Sequence, residues 1–288
     1  MSVLRSALIN AYRQACEDEL QAFKPGNVSI YSEGHDMTVE QFRLSASVSA
    51  IPLTDPDFSL GEKIYYAVKE TRDAVGCNTN LGILLLCAPL IQAVYDREVG
   101  QTLRESLDNS LSRTTVDDAE WVFRAISLAS PGGLGEASEQ DVHAQAAVTL
   151  QQAMALAADR DSIAKQYINS FKDIFDFTVL TYNRAFVLSG DRGWAALKVF
   201  TEMLARYPDS HIERKYGKQY SEWIATEMRS LCEHMTIFDG FAHLLPSLVK
   251  LDEKLKSKNI NPGTTADFTV TTVLVVLLEQ LIASGIGA

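Results

Sequence analysis

The sequence lacks the Cys-x-x-Cys pairs and zinc-ligand spacings that would mark a metal-stapled scaffold. Its four cysteines, Cys16, Cys77, Cys87 and Cys232, read as buried thiols of a reducing compartment. Alternating strand patterns are scarce, and Thr178 to Leu188 is the ambiguous stretch. No repeat of fixed period runs along the chain, which argues against a solenoid. No long low-complexity linker divides it. No signal-peptide pattern opens it, because Arg5, Arg13 and several acids interrupt the first residues. The apolar run from Phe268 to Leu278, bounded by Asp267 and Glu279, falls short of a membrane span of about 20 residues. It reads as a buried core helix. A cytoplasmic protein without membrane attachment is the expectation.

Positive charge is also scarce. There are 26 Lys and Arg against 37 Asp and Glu, for a net charge of −11. That balance argues against a broad nucleic-acid or anionic-membrane surface, yet leaves room for a small cationic pocket that takes a polyphosphate. The length of 288 residues is enough to bury a substantial core, and one compact domain over 1–288 is expected.

What is present is helical periodicity. Val3, Leu4, Ala7, Leu8, Ala11 and Ala15 form an apolar stripe that Lys24-Pro25-Gly26 ends. Thr38 with Gln41 resembles a capping box, opening a helix that should stop before Pro52. Further helices are expected at 59–74, 79–96, 99–111, 115–128, 138–158, 161–177, 192–206, 219–234, 239–257 and 265–284. The fold class is therefore all-α, a single domain of about ten helices.

Four polar turns stand out against this apolar helical background: Lys24 to Asp36, Gly76 to Gly82, Pro131 to Asp141, and Asn261 to Asp267. Each leads into an apolar helical segment, so together they read as one site built from helix ends, where unpaired backbone N–H groups favour anions. In the first, Lys24 can meet a phosphate, Glu33 and Asp36 offer hard oxygens suited to magnesium, and His35 can move a proton. The alternative is a surface loop with Asp36 or Thr38 as a helix cap. In the second, Asn78 and Asn80 offer donors and acceptors to a nucleotide, and Gly82 allows close backbone approach; capping by Asn78 or Thr79 is the alternative. In the third, Gly132, Gly133 and Gly135 precede Glu136, Glu139 and Asp141, candidate ligands or acid–base groups. It is neither a Walker A loop nor a dinucleotide fingerprint. In the last, Asp267 can hold a phosphate-bound metal ion or simply cap a helix. A further segment, Asp209 to Gly217, carries His211 and the adjacent cations Arg214 and Lys215, which could meet a triphosphate.

In order and content these turns resemble one family, the ATP:dephospho-CoA triphosphoribosyltransferases, or triphosphoribosyl-dephospho-CoA synthases. The family's Lys-Pro-Gly turn with later Gly, His and Asp-Met is similar to Lys24-Pro25-Gly26 and Gly34-His35-Asp36-Met37. Its Asn-Thr-His-Lys-Gly turn resembles Asn78-Thr79-Asn80-Leu81-Gly82, with Asn80 and Leu81 in place of His and Lys. Its Gly-Glu element resembles Gly135-Glu136, and its late Pro-Gly-Gly-Ser-Ala-Asp turn resembles Pro262 to Asp267, with Thr264 and Thr265 substituted. The segment Asp209-Ser210-His211-Ile212 with Arg214 and Lys215 looks like a variant branch, found in archaea and in bacteria with methanopterin-linked one-carbon metabolism.

The resemblance implies a transferase that moves the triphosphoribosyl group of ATP to a hydroxyl of dephospho-CoA or a related acceptor and releases adenine. It implies Mg2+ with ATP as substrate: Glu33, Asp36 and Asp267 on the metal, Lys24, Arg214 and Lys215 on phosphates, Asn78, Asn80 and His211 binding the nucleotide, Glu136 or His35 carrying a proton. Two other readings remain: a related transferase in one-carbon coenzyme biosynthesis, and a non-catalytic helical binding protein on the same scaffold. A homodimer is compatible with each.

Overall fold

In the computed structural model, residues 2–130, 142, 145–235 and 240–285 are described. Among the described residues the regular secondary structure is helical, apart from isolated bridges pairing Ser29 with Ser32 and Gly34 with Met37. In order the helices are α1 (Val3–Leu20), α2 (Val39–Leu53), α3 (Leu60–Val75), α4 (Leu81–Asp96), α5 (Leu103–Ser112), α6 (Val116–Ala129), α7 (Leu150–Ala157), α8 (Ser162–Ile168), α9 (Val179–Ser189), α10 (Arg192–Arg206), α11 (Ser210–Tyr216), α12 (Ser221–His234), α13 (Gly240–Ser257) and α14 (Gly263–Ala283). This is more than the ten expected, because short helices such as α8 and α11 are too brief to show a full apolar period.

The all-α expectation holds, and the starts of the helices have a visible local cause. Thr38, Ser59, Thr102, Thr115 and Thr149 each accept a hydrogen bond from the third residue of the following helix, whose side chain bonds back. These reciprocal caps satisfy N–H groups that a helix start would otherwise leave without partners.

The departures are also physical. Pro52 lies inside the last turn of α2, one residue before its end, so the single i→i−4 bond that its missing N–H forfeits falls at the end of the helix. The helix expected over 161–177 is broken, since Ser170 and Phe171 take left-handed backbone conformations with φ of 53° and 55°. A wide π-turn at Ile174–Thr178 follows and leads into α9, so the ambiguous stretch is helix. In the π-turn Thr178 pairs its hydroxyl with that of Thr272 on α14, 2.6 Å away. Of the helix expected over 138–158, the described part is helical only from Leu150.

One core runs from Leu8 to Leu278, with α14 at its centre against α1, α4, α9 and α10. At 21 residues, α14 is longer than its apolar run suggested and is the one helix among the described residues long and apolar enough to cross a membrane. Its burial inside a helical shell makes it a core helix. Close packing elsewhere depends on small residues. At the α3–α6 crossing, Gly61 donates its N–H to Asp118 Oδ1 at 2.8 Å, and a Cβ there would lie 2.7 Å from the Asp118 backbone. Gly61→Ala must therefore push two helices apart. It should lower stability by about 1–3 kcal/mol, read as a reduced urea midpoint, and an unchanged midpoint would refute the crossing.

Candidate active site

The N-terminus of α14 organises the polar residues. Asp209 is buried just before α11, and its Oδ1 accepts from the N–H groups of His211 and Ile212 at 2.9 and 3.1 Å. Its Oδ2 accepts from the Thr265 N–H and hydroxyl, each at 2.8 Å. One carboxylate thus caps two helix starts. Burial pushes its pKa up, while neighbouring His211 and these donors hold it down.

Three of the four polar turns meet beside this point. Asn27 donates to Asn261 Oδ1 at 2.8 Å, tying the first turn to the last. Gly26, at φ +80°, passes so near Leu255 and Pro262 that a Cβ would lie 3.0 Å from each. His35 Nε2 lies 2.8 Å from Gly26 O, a bond in which the ring must donate, and His35 Nδ1 lies 3.3 Å from Asn259. The second turn closes the other side: a Cβ on Gly82 would sit 2.0 Å from Asp267 Oδ2, so the carboxylate occupies the space that a side chain would take. The third turn, with Glu136, Glu139 and Asp141, lies outside the described residues.

The result is a cleft of ≈460 Å³ whose walls include His35, Asp36, Asn78, Asn80, His211, Arg214 and Asp267. Asp267 is the fifth residue of α14, in its second turn, so it is not the helix cap; Asp209 does that work. The Asp267 carboxylate forms no hydrogen bond or ion pair among the described residues. Burial, then nearby Asp209, Glu19 and Asp161, drive its pKa well above the ordinary carboxylate range.

Arg214 lines the same cleft. Its Nη1 contacts Asp161 Oδ2 and its Nη2 contacts His211 Nδ1, both at 3.3 Å. Its Nε is buried without a hydrogen-bond partner. Because a guanidinium only donates, His211 Nδ1 accepts and the imidazole proton sits on Nε2. Burial, aided by Arg214 and Lys215 and opposed by Asp209, holds His211 below its usual pKa, hence neutral.

Of the other expected residues, Lys24, Glu33 and Lys215 lie outside the cleft, while Asn78 and Asn80 line it with their amides engaged in the fold. Lys24 is fully buried, paired with Glu19 at 3.0 Å and bonded to Val28 O; it fastens the turn from beneath and does not line the cleft. Glu33 Oε1 accepts from Val39 N at 2.9 Å, capping α2 outside the cleft. Lys215 lies over the Tyr216 ring on the outer side of α11. Asn78 caps α4 through Leu81 N at 3.1 Å. Asn80 turns its amide inward to Thr71 and Ser49, at 3.1 and 3.3 Å. The sequence reading missed Asp161, which caps α8 through Ile163 N and Ala164 N while its other oxygen holds Arg214. An acid before a helix signals the first role; only the fold discloses the second.

A cleft of this volume with a few convergent polar groups has the form of a small-molecule site. The chain matches, over residues 5–285, the CitG family model, described as ATP:dephospho-CoA triphosphoribosyl transferase. The protein belongs to that family of transferases. It also resembles a crystal structure from Archaeoglobus fulgidus of a protein provisionally named a triphosphoribosyl-dephospho-CoA synthase. That match has 25% identity and a TM-score of 0.65, covering 82% of this chain and 97% of that one. No curated protein matches.

The placement of Asp267 sets a testable opposition between stability and binding. A carboxyl whose folded pKa is raised binds its proton more tightly folded than unfolded. Its ionisation therefore removes stability as pH rises above the unfolded carboxylate range. Without nucleotide, Asp267→Asn should melt higher than wild type near neutral pH, with the gain vanishing below about pH 4. The same variant should lose most of its affinity for ATP with magnesium. A lower Tm with unchanged affinity would make Asp267 a structural residue.

Proposed function

We propose that the cleft binds ATP with magnesium and transfers its triphosphoribosyl group to a hydroxyl of dephospho-CoA or a chemically related acceptor. The observation that carries this is charge balance. The cleft is lined by Glu19, Asp36, Asp161 and Asp267, while Arg214 is its only Lys or Arg among the described residues. A triphosphate would be repelled there unless it arrived with a divalent cation.

The donor set suits magnesium on a polyphosphate. Among the described residues no group of three metal-ligating side chains forms a closed cage. Magnesium is commonly held by one or two carboxylates, with substrate phosphates and waters completing its shell. Asp267, which has no side-chain partner among the described residues, and Asp36 would hold it. When bound, the ion neutralises phosphate charge.

The remaining work falls to the protein's own groups. The acceptor oxygen forms a bond to the ribose anomeric carbon as the bond to adenine breaks. The acceptor proton leaves to a base, adenine departs protonated, and the triphosphate stays on the transferred sugar. Carboxylates facing the ribose stabilise the positive charge that develops there, as in glycoside cleavage. Arg214, held by Asp161 and His211, offers the remaining in-plane N–H groups of its guanidinium to phosphate oxygens. His211, neutral with its proton on Nε2, supplies a hydrogen bond and not a general base. His35 Nε2 donates to Gly26 O and its Nδ1 faces Asn259, so proton transfer through Nδ1 requires Asn259 to move aside; Glu136 is the other proton carrier proposed.

Incubation with ATP, magnesium and dephospho-CoA should release free adenine in equal amount with a triphosphoribosylated product, read by chromatography and mass. Chelation of magnesium should stop it. Arg214→Ala should lower kcat/KM by roughly 100-fold, in line with loss of a buried charge-assisted contact of about 3 kcal/mol. Formation of ADP or AMP in place of adenine would overturn the transfer reaction.

A further inference from the structure

A second cavity, of ≈470 Å³, adjoins the cleft and shares with it Leu85, Ile126, Asp161, Ile163 and Arg214. Its character is different. Beyond the shared wall it is bounded mainly by apolar side chains, Phe123 of α6 and Leu150, Ala153 and Met154 of α7 among them. At its rim stand two exposed cations, Arg160 and Lys218, whose side chains enter no ion pair or hydrogen bond among the described residues. The acids on this side are mostly engaged: Asp161 holds Arg214, and Glu213 accepts from Ser221 at 2.8 Å. Asp159 is the exception.

Transfer between two substrates requires both to be bound at once, with the reacting atoms about 3–3.5 Å apart. The polar cleft has the carboxylates that a metal–triphosphate needs, and the second cavity's apolar wall does not. An apolar chamber of this volume gains most by enclosing a flat or aliphatic group, while unpaired cations at the rim suit a phosphate ester. Arg214 belongs to both walls, fixed from one side by Asp161 and from the other by His211.

We propose that this second chamber is the acceptor's site. It encloses the apolar or planar group beside the reacting hydroxyl, and Arg160 and Lys218 hold an anionic phosphate or pyrophosphate of the same molecule. The inference rests on the triphosphoribosyl-transfer reading for its second substrate, but it makes a separate claim about where that substrate sits.

The test uses dephospho-CoA as probe and titration calorimetry on the full chain. Arg160→Ala with Lys218→Ala changes exposed side chains, and Ala153→Trp fills the chamber. The paired charge variant should weaken dephospho-CoA binding by about tenfold or more, and Ala153→Trp should abolish it, while affinity for ATP with magnesium stays within about twofold. Unchanged dephospho-CoA binding, or a parallel loss of ATP binding, would overturn the assignment. If the wild-type protein does not bind dephospho-CoA, that acceptor is removed from the proposed function, and the chamber is judged with anilinonaphthalenesulfonate, an aromatic anion. Fluorescence enhancement in the wild type that both variants lose supports the chamber. Absence of enhancement, or enhancement insensitive to the variants, refutes it.

Discussion

The site depends on the buried carboxylate of Asp209. It joins the starts of α11 and α14 by accepting from His211 N and Ile212 N on one side and from Thr265 on the other. Both helix starts would otherwise present backbone donors to a dry interior, where an unpaired N–H is costly. Because α14 is the central core helix, this junction fixes α11 to the best-packed element of the fold. His211 and Arg214, carried on α11, therefore face Asp267, carried on α14. Losing Asp209 would cost more than a cap, since the relation between the two helices rests on it.

From that junction the chain builds a site at some cost in stability. Gly82 gives up a side chain so that Asp267 can occupy the start of α4, and the carboxylate gains no internal partner in exchange. Among the described residues, Arg214 is the group that offsets the charge it carries when ionised. A ligand that brings positive charge would compensate it. Strain of this kind is expected where binding, and not folding, has set the residue.

Much of this could be read in the sequence, for local reasons. Caps, Pro-Gly breaks and apolar stripes are written within a few residues, so helix starts such as Thr38 and Ser59 are legible. The meeting of the Lys24, Asn78 and Asn261 turns was suggested by polar residues concentrated at helix ends. What could not be read was direction. Lys24 and Lys215 look alike as cations, yet one is buried under its own turn and the other lies on Tyr216. Glu33 and Asp36 look alike as acids three residues apart, yet one caps α2 and the other reaches the cleft. Asp209 reads as a cap for the helix that follows it, and its second partner lies 56 residues away. The break at Ser170 and Phe171 carries no Gly or Pro to announce it. Glu136 lies outside the described residues, so its expected part rests on the family resemblance.

The substitutions at Asn80 and Leu81 take on meaning in this setting. The family resemblance puts a His and a Lys where this chain has an amide turned into the core and a buried Leu. The start of α4 thus loses a cation and a proton carrier on the cleft wall that also bears Asp267. Arg214 is left as the single guanidinium or ammonium lining the described cleft. In the proposed reaction, charge that a Lys would have supplied would come from a metal ion or from the helix start itself. On the proposed reading, the wall that Arg214 shares with the apolar chamber would be the boundary between donor and acceptor. Variation in what the acceptor is would fall on α6 and α7, away from the residues that handle the triphosphate.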